Sequence, residues 1–123
     1  MKYLILIYSN PKSMEVWDNF SAEQRATGLA GYQAIYDDLA GSGELISSSA
    51  LADPSLSKHV RIEDGRSIPT DGPFAEVKEH LAGFFFVECP SMDRALEWAT
   101  RFSEAFLGSV EVRPTMAPGG GDI

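Results

Sequence analysis

The chain has 123 residues, 44% of them hydrophobic, and its 10 Lys+Arg against 18 Asp+Glu give a formal net charge of -8. That length fits one domain with its own core, because domains of about 100–150 residues are commonest. The acidic balance argues against a nucleic-acid partner, whose phosphates need a basic surface, and the single cysteine, Cys89, excludes an intrachain disulfide and a cysteine-rich zinc site.

The run Tyr3-Leu4-Ile5-Leu6-Ile7-Tyr8 reads as a strand. Both of its faces are apolar, which places it centrally in a sheet. One Lys precedes the run and Ser9-Asn10-Pro11 ends it, whereas a signal peptide needs a longer apolar region and a cleavage site. No run approaches the roughly 20 apolar residues of a spanning helix. The expectation is a cytoplasmic protein with no membrane partner. Ser9 to Asn19 reads as a loop with Val16-Trp17 exposed.

Ser21 followed by Gln24 is a capping-box pattern. Ala22, Ala26, Leu29, Tyr32 or Gln33, Tyr36 and Leu39 then recur at helical spacing and predict the buried stripe. Gly28 and Gly31 weaken that helix or allow a close backbone approach, and Gly41-Ser42-Gly43 ends it. A second strand lies within Glu44 to Leu51. Asp53-Pro54-Ser55 breaks the chain. Lys58 to Ile62 and Ser67 to Thr70 flank Asp64-Gly65 and predict a small peripheral hairpin. Asp71-Gly72-Pro73-Phe74 is a turn, and Leu81 to Glu88 is a strand built on Phe84-Phe85-Phe86-Val87.

Ser91 caps a second helix. Its buried face reads as Met92, Ala95, Leu96, Ala99, Phe102 and Phe106, with Glu97 and Arg101 paired at i,i+4 outside it. In the last strand Val110 and Val112 face one way, Glu111 and Arg113 the other. The tail from 117 to 123, rich in Pro and Gly, is expected to be disordered, leaving residues 1–116 as a single domain.

Strand, helix, strand, hairpin, strand, helix, strand suits an α+β, ferredoxin-like sandwich. It has a four-stranded, mainly antiparallel sheet, two helices on one face and a small extra hairpin. Two helices cover one face, yet the first and third main strands are apolar on both. A bare apolar face is an aggregation liability. The expected cover is the same face of a second copy, a homodimer about a two-fold axis. The rival is a monomer with the hairpin folded over the sheet.

The string Asp71-Gly72-Pro73-Phe74-Ala75-Glu76-Val77-Lys78-Glu79 resembles the DGPF branch of the YCII-related family. So do Leu81, Gly83 and Phe84, the segment Met92 to Ala99, the closing Gly108 to Pro114, and the start Met1 to Tyr8. The resemblance spans about residues 1 to 116 and implies a dimeric α+β barrel of ferredoxin-like subunits. Short members of the wider family carry a His–Asp pair with the His near the first helix. Here no histidine precedes His59, and Val77 stands where the branch more often has Thr.

Asp71 is the leading candidate for chemistry. A partly buried carboxyl at a strand end can act as acid or base, while an Asp in a turn also fixes the bend through backbone amides. His80, near the motif, is the other acid–base candidate. Candidate ligand-binding residues are Tyr8 at the end of the central strand, Phe74 as a pocket wall or core plug, and Glu76 beside Asp71. Lys78 and Arg113 are candidate anion contacts. His59 and His80 lack the spacing of a zinc helix, so no metal or cofactor is expected. Cys89 reads as a small core hydrophobe. Three functions follow: a cofactor-free enzyme acting on a small organic molecule by acid–base chemistry at Asp71, a non-catalytic small-molecule-binding or regulatory accessory protein, or a structural dimer whose motif is only a turn.

Overall fold

A computed structural model describes residues 1–73, 78–102, 104–105, 109–117 and 119. The described elements run β1 (Lys2–Ser9), α1 (Pro11–Asp18), α2 (Ala22–Ser42), β2 (Leu45–Ala50), a 3-10 turn (Pro54–Leu56), β3 (Lys58–Glu63), β4 (Arg66–Asp71), β5 (His80–Glu88), α3 (Met92–Ala99) and β6 (Val110–Pro114). β2, β5, β1 and β6 form one antiparallel sheet in that order, and β3 pairs with β4 alone. The order is compatible with a ferredoxin-like fold, and β1 is central as its two apolar faces require.

The core gathers on one sheet face. Tyr3, Ile5, Ile7 and Val87 meet Ile35 and Leu39 of α2 and Ala95, Trp98 and Ala99 of α3, with Phe102 beyond it. Val110 and Val112 join them, as the alternation in β6 predicts. The side chains of period-two neighbours point to the other face. There Leu4 stands opposite Phe86 and Leu6 opposite Phe84, with Glu111 and Arg113 on one flank and Ser47 and Ser49 on the other. Leu4, Phe84 and Phe86 are only partly buried. The hairpin does not cover them: Val60 and Ile62 are themselves 66% and 67% exposed. Asp64 (φ 51°) and Gly65 (φ 73°) form its tight turn.

Three sequence readings need correction. Residues 11–18 are a helix, not a loop. Asn10 caps it by accepting from the Ser13 amide at 2.8 Å, Ser13 Oγ in turn accepts from the Asn10 amide at 2.9 Å, and Pro11 opens the first turn. The described residues therefore hold three α-helices rather than two.

The α2 stripe is also rotated, keeping Tyr32 and Leu39 of the expected positions. Ala22, Ala26 and Tyr36 are exposed and Leu29 is 61% exposed. The inward positions are Gly28, Tyr32, Ile35 and Leu39, and a Cβ at Gly28 would lie 3.4 Å from the Trp17 ring. That is an ordinary contact, and Gly31 has open space, so neither helix glycine is required by a close backbone approach.

In α3, Leu96 is exposed and Trp98 is buried instead. Glu97 pairs with Arg94 at 2.8 Å, and Arg101 pairs with Asp38 at 2.8 Å. Phe106 and most of the 117–123 tail lie outside the described residues. Cys89 is buried, and burial pushes its thiol up, in keeping with a packing role.

Arg94 ties α3 to the start of β2. Its Nη2 donates to Glu44 Oε1 at 2.7 Å and its Nε to Glu44 Oε2 at 3.1 Å, while its guanidinium lies 4.8 Å over the Trp98 ring. The Arg94 bonds hold the Glu44 carboxyl below its usual range. A lowered folded pKa stabilises above the unfolded value of about 4.3 and is lost as pH falls through the folded one. Glu44→Gln is therefore expected to cost about 1–2 kcal/mol at pH 7 in urea unfolding. The gap from the parent should narrow below about pH 4; a gap that is constant with pH would contradict the ion pair.

Candidate functional site

Two adjoining cavities sit where β1 ends, β2 runs out and β5 begins. The larger has a volume of about 810 Å³ and lies between α1, the first half of α2 and the sheet end. Trp17, Phe20, Gly28 and Tyr32 line one side, and Tyr8, Leu51 and Leu81 the other. The smaller, about 490 Å³, is bounded by Leu56, Ser57, His59, Pro73, Glu79 and His80. Leu51, Ala52, Asp53, Pro54 and Leu81 form a wall common to both.

Local hydrogen bonding holds these walls. Asn10 Nδ2 donates to Ser109 Oγ at 3.5 Å, and the Tyr8 amide donates to the Ser109 carbonyl at 2.9 Å. Arg25 donates to the Trp17 and Asp18 carbonyls at 3.2 and 3.1 Å, satisfying the end of α1. The Trp17 and Phe20 rings meet at 5.9 Å. Asp53 caps the 3-10 turn by accepting from the Ser55 amide at 2.9 Å, and that bond holds its carboxyl below the usual range.

The expected site residues fall in separate places. His80 lines the smaller cavity beside Glu79, and Tyr8 lines the larger. Asp71 lines neither: its side chain is 84% exposed at the end of β4, where it takes an ion pair from Lys58 across the hairpin. Lys78 is exposed and also lines neither cavity. Phe74 and Glu76 lie outside the described residues.

Tyr8 and Arg113 do converge, through Glu111. The Tyr8 hydroxyl donates to Glu111 Oε1 at 3.1 Å and Arg113 Nε donates to Glu111 Oε2 at 2.8 Å. Burial and then the Glu111 bond raise the Tyr8 phenol above its usual range, while Arg113 lowers Glu111. Sequence reading missed Glu111, whose alternation with Val112 marked only an outward side chain. It also missed Asp53, where the Asp-Pro-Ser pattern is a capping signal as well as a chain breaker. Among the described residues, no group of three or more His, Cys, Asp and Glu is arranged to hold a metal ion.

The glycine of the Asp71-Gly72-Pro73 turn has a local cause. A Cβ on Gly72 would lie 2.8 Å from two atoms of the His59 ring and 3.0 Å from Ser57 Cβ, while its amide donates to the Ser57 carbonyl at 2.8 Å. The motif thus packs the turn onto the hairpin base and the floor of the smaller cavity.

The YCII-related domain model matches residues 1–117. This chain belongs to the YCII-related family. An uncharacterised protein of Rhizobium meliloti (strain 1021) is 34% identical over 116 residues, which cover 93% of this chain and 91% of that protein. Among the described residues, no helix of this YCII-related chain is long and apolar enough to cross a membrane.

Gly72→Ala is expected to destabilise by about 1–3 kcal/mol, the cost of overpacking. In a His59→Ala background the penalty should fall, a coupling of about 0.5–2 kcal/mol in a double-mutant cycle of urea unfolding. Additive effects would contradict the contact.

Proposed function

We propose that this YCII-related chain binds a small organic molecule in the adjoining cavities, as a binding or regulatory accessory protein. The observation that carries the reading is the larger cavity. Its volume of about 810 Å³ and mostly apolar, aromatic lining match the usual character of small-molecule sites. Asp71, paired with Lys58 on the hairpin, fits the role of turn former better than that of base.

A second reading keeps acid–base chemistry. His80, Glu79 and Asp53 line the smaller cavity together, and histidine exchanges protons near neutral pH. In that reading His80 replaces Asp71 as the acting group.

We also propose that two copies pair through the face carrying Leu4, Leu6, Phe84 and Phe86, as in a dimeric α+β barrel of the DGPF branch. Its support is that Leu4, Phe84 and Phe86, which share that face, are only partly buried. A cytoplasmic setting belongs to the same reading.

Thermal-shift screening against a metabolite library tests the binding reading. A ligand at about 100 times its Kd adds roughly 2.7 kcal/mol of stability, enough to raise Tm by several degrees. Equal shifts for the parent and Asp71→Asn are expected. A shift lost only in Asp71→Asn would put that carboxylate in the site, and no shift with any compound would contradict binding. Turnover of a hit, abolished in His80→Ala, would favour the catalytic reading.

A further inference from the structure

We infer that α1 is a lid over the larger cavity, latched by Arg25 and drawn down when a guest fills the space beneath it. The inference rests on the small-molecule-binding reading of that cavity and adds how a guest enters and is covered. It begins with how loosely α1 is seated. Ser13, Met14, Val16 and Trp17 of α1, and Phe20 just beyond it, line the cavity, yet the helix holds no buried residue. Met14, Val16, Trp17 and Phe20 are 36 to 46% exposed, although all four border one space. A guest lying under them would take that apolar surface out of water, which favours a closed helix once the cavity is filled.

Length and attachment point the same way. At 8 residues α1 is shorter than the roughly 12–15 at which an isolated helix becomes even marginally stable, so it depends on what it touches. The equally short α3 anchors itself by burying Ala95, Trp98 and Ala99 in the core. Nothing in α1 is anchored in that way. Its N-terminal cap is internal to the segment, Asn10 with Ser13, and survives a movement of the whole helix. Asn10 Nδ2 reaches Ser109 Oγ only at 3.5 Å, the outer limit of a hydrogen bond. The C-terminal end is held by Arg25, near the start of α2. Its Nε donates to the Trp17 carbonyl at 3.2 Å, its Nη2 donates to the Asp18 carbonyl at 3.1 Å, and its guanidinium lies 5.6 Å over the Trp17 ring centre. A cation suits the orphan carbonyls of a helix end. Both bonds are solvent-exposed, so water replaces them readily when the end lifts. Trp17 then leaves Gly28, which it meets at ordinary contact distance with no side chain to interlock.

Hydrogen–deuterium exchange of the whole chain tests this, in the parent and in Arg25→Gln, each alone and with 1-naphthol. That probe is uncharged and aromatic, matching the rings of Trp17, Phe20 and Tyr32, and calorimetry alongside reports whether it binds. In the free parent, residues 11–19 should exchange at least about tenfold faster than β1, the signature of local opening. Saturating naphthol should slow them at least about threefold, because a guest that prefers the closed form draws population to it. Arg25→Gln should speed exchange in 11–19 by about three- to tenfold and leave β1 and α3 unchanged. Exchange in 11–19 as slow as in β1 would overturn the lid. So would an Arg25→Gln variant with no effect there, or with an equal effect on β1 and α3. Naphthol that binds without slowing 11–19 would overturn the inference and leave the binding reading standing. Naphthol that does not bind would overturn it too, and the binding reading would then stand or fall on the thermal-shift screen.

Discussion

A sheet with two apolar faces, one of them packed against α2 and α3, governs this molecule. β1 must sit centrally, because neither Tyr3-Ile5-Ile7 nor Leu4-Leu6-Tyr8 can face water at low cost. The first set is closed by Leu39, Trp98 and Phe102. At about 25 cal/mol per Å² of apolar area, burial of these large side chains is the main source of the fold's stability. In the second set, Leu6 is buried against its neighbours while Leu4, facing Phe86, is only partly buried, as are Phe84 and Phe86. The proposed assembly follows from that asymmetry.

The cavity arises from the way α2 docks. Only Ile35 and Leu39, in its second half, are buried in the core. The first half rests on α1 through Gly28 and Trp17 and leaves space down to the end of β1. A larger residue at 28 would fill part of that space or push α1 away. The same capping bonds that make α1 a helix, at Asn10 and Ser13, aim Trp17 along the cavity wall. Packing at one end of a helix thus sets the volume at the other.

Strands were legible because their signals are local. Phe84-Phe85-Phe86-Val87, Asp64-Gly65 and the alternation of Val110 to Arg113 each specify an element within a few residues. The Ser21 and Ser91 caps were legible for the same reason. The buried face of α2 was not, since its sequence spreads apolar residues around the helix and only tertiary contact chooses among them. Trp98 likewise became interior through Arg94, which covers the ring while bonding Glu44 from a distant part of the chain. The candidate site was less legible still. Asp71 stood out by its motif, yet its neighbours in space are Lys58 and, through Gly72, His59. Asp53, 18 residues earlier, reaches the cavities by way of a turn whose pattern signals capping rather than chemistry.

The central claim is that the face of Leu4, Leu6, Phe84 and Phe86 is closed by a second copy of the chain. Sedimentation equilibrium across a wide concentration range tests it most directly. The account predicts a mass of twice the 13.4 kDa chain that persists on dilution to low micromolar concentration. A mass of one chain at every concentration, with the protein folded, would contradict it.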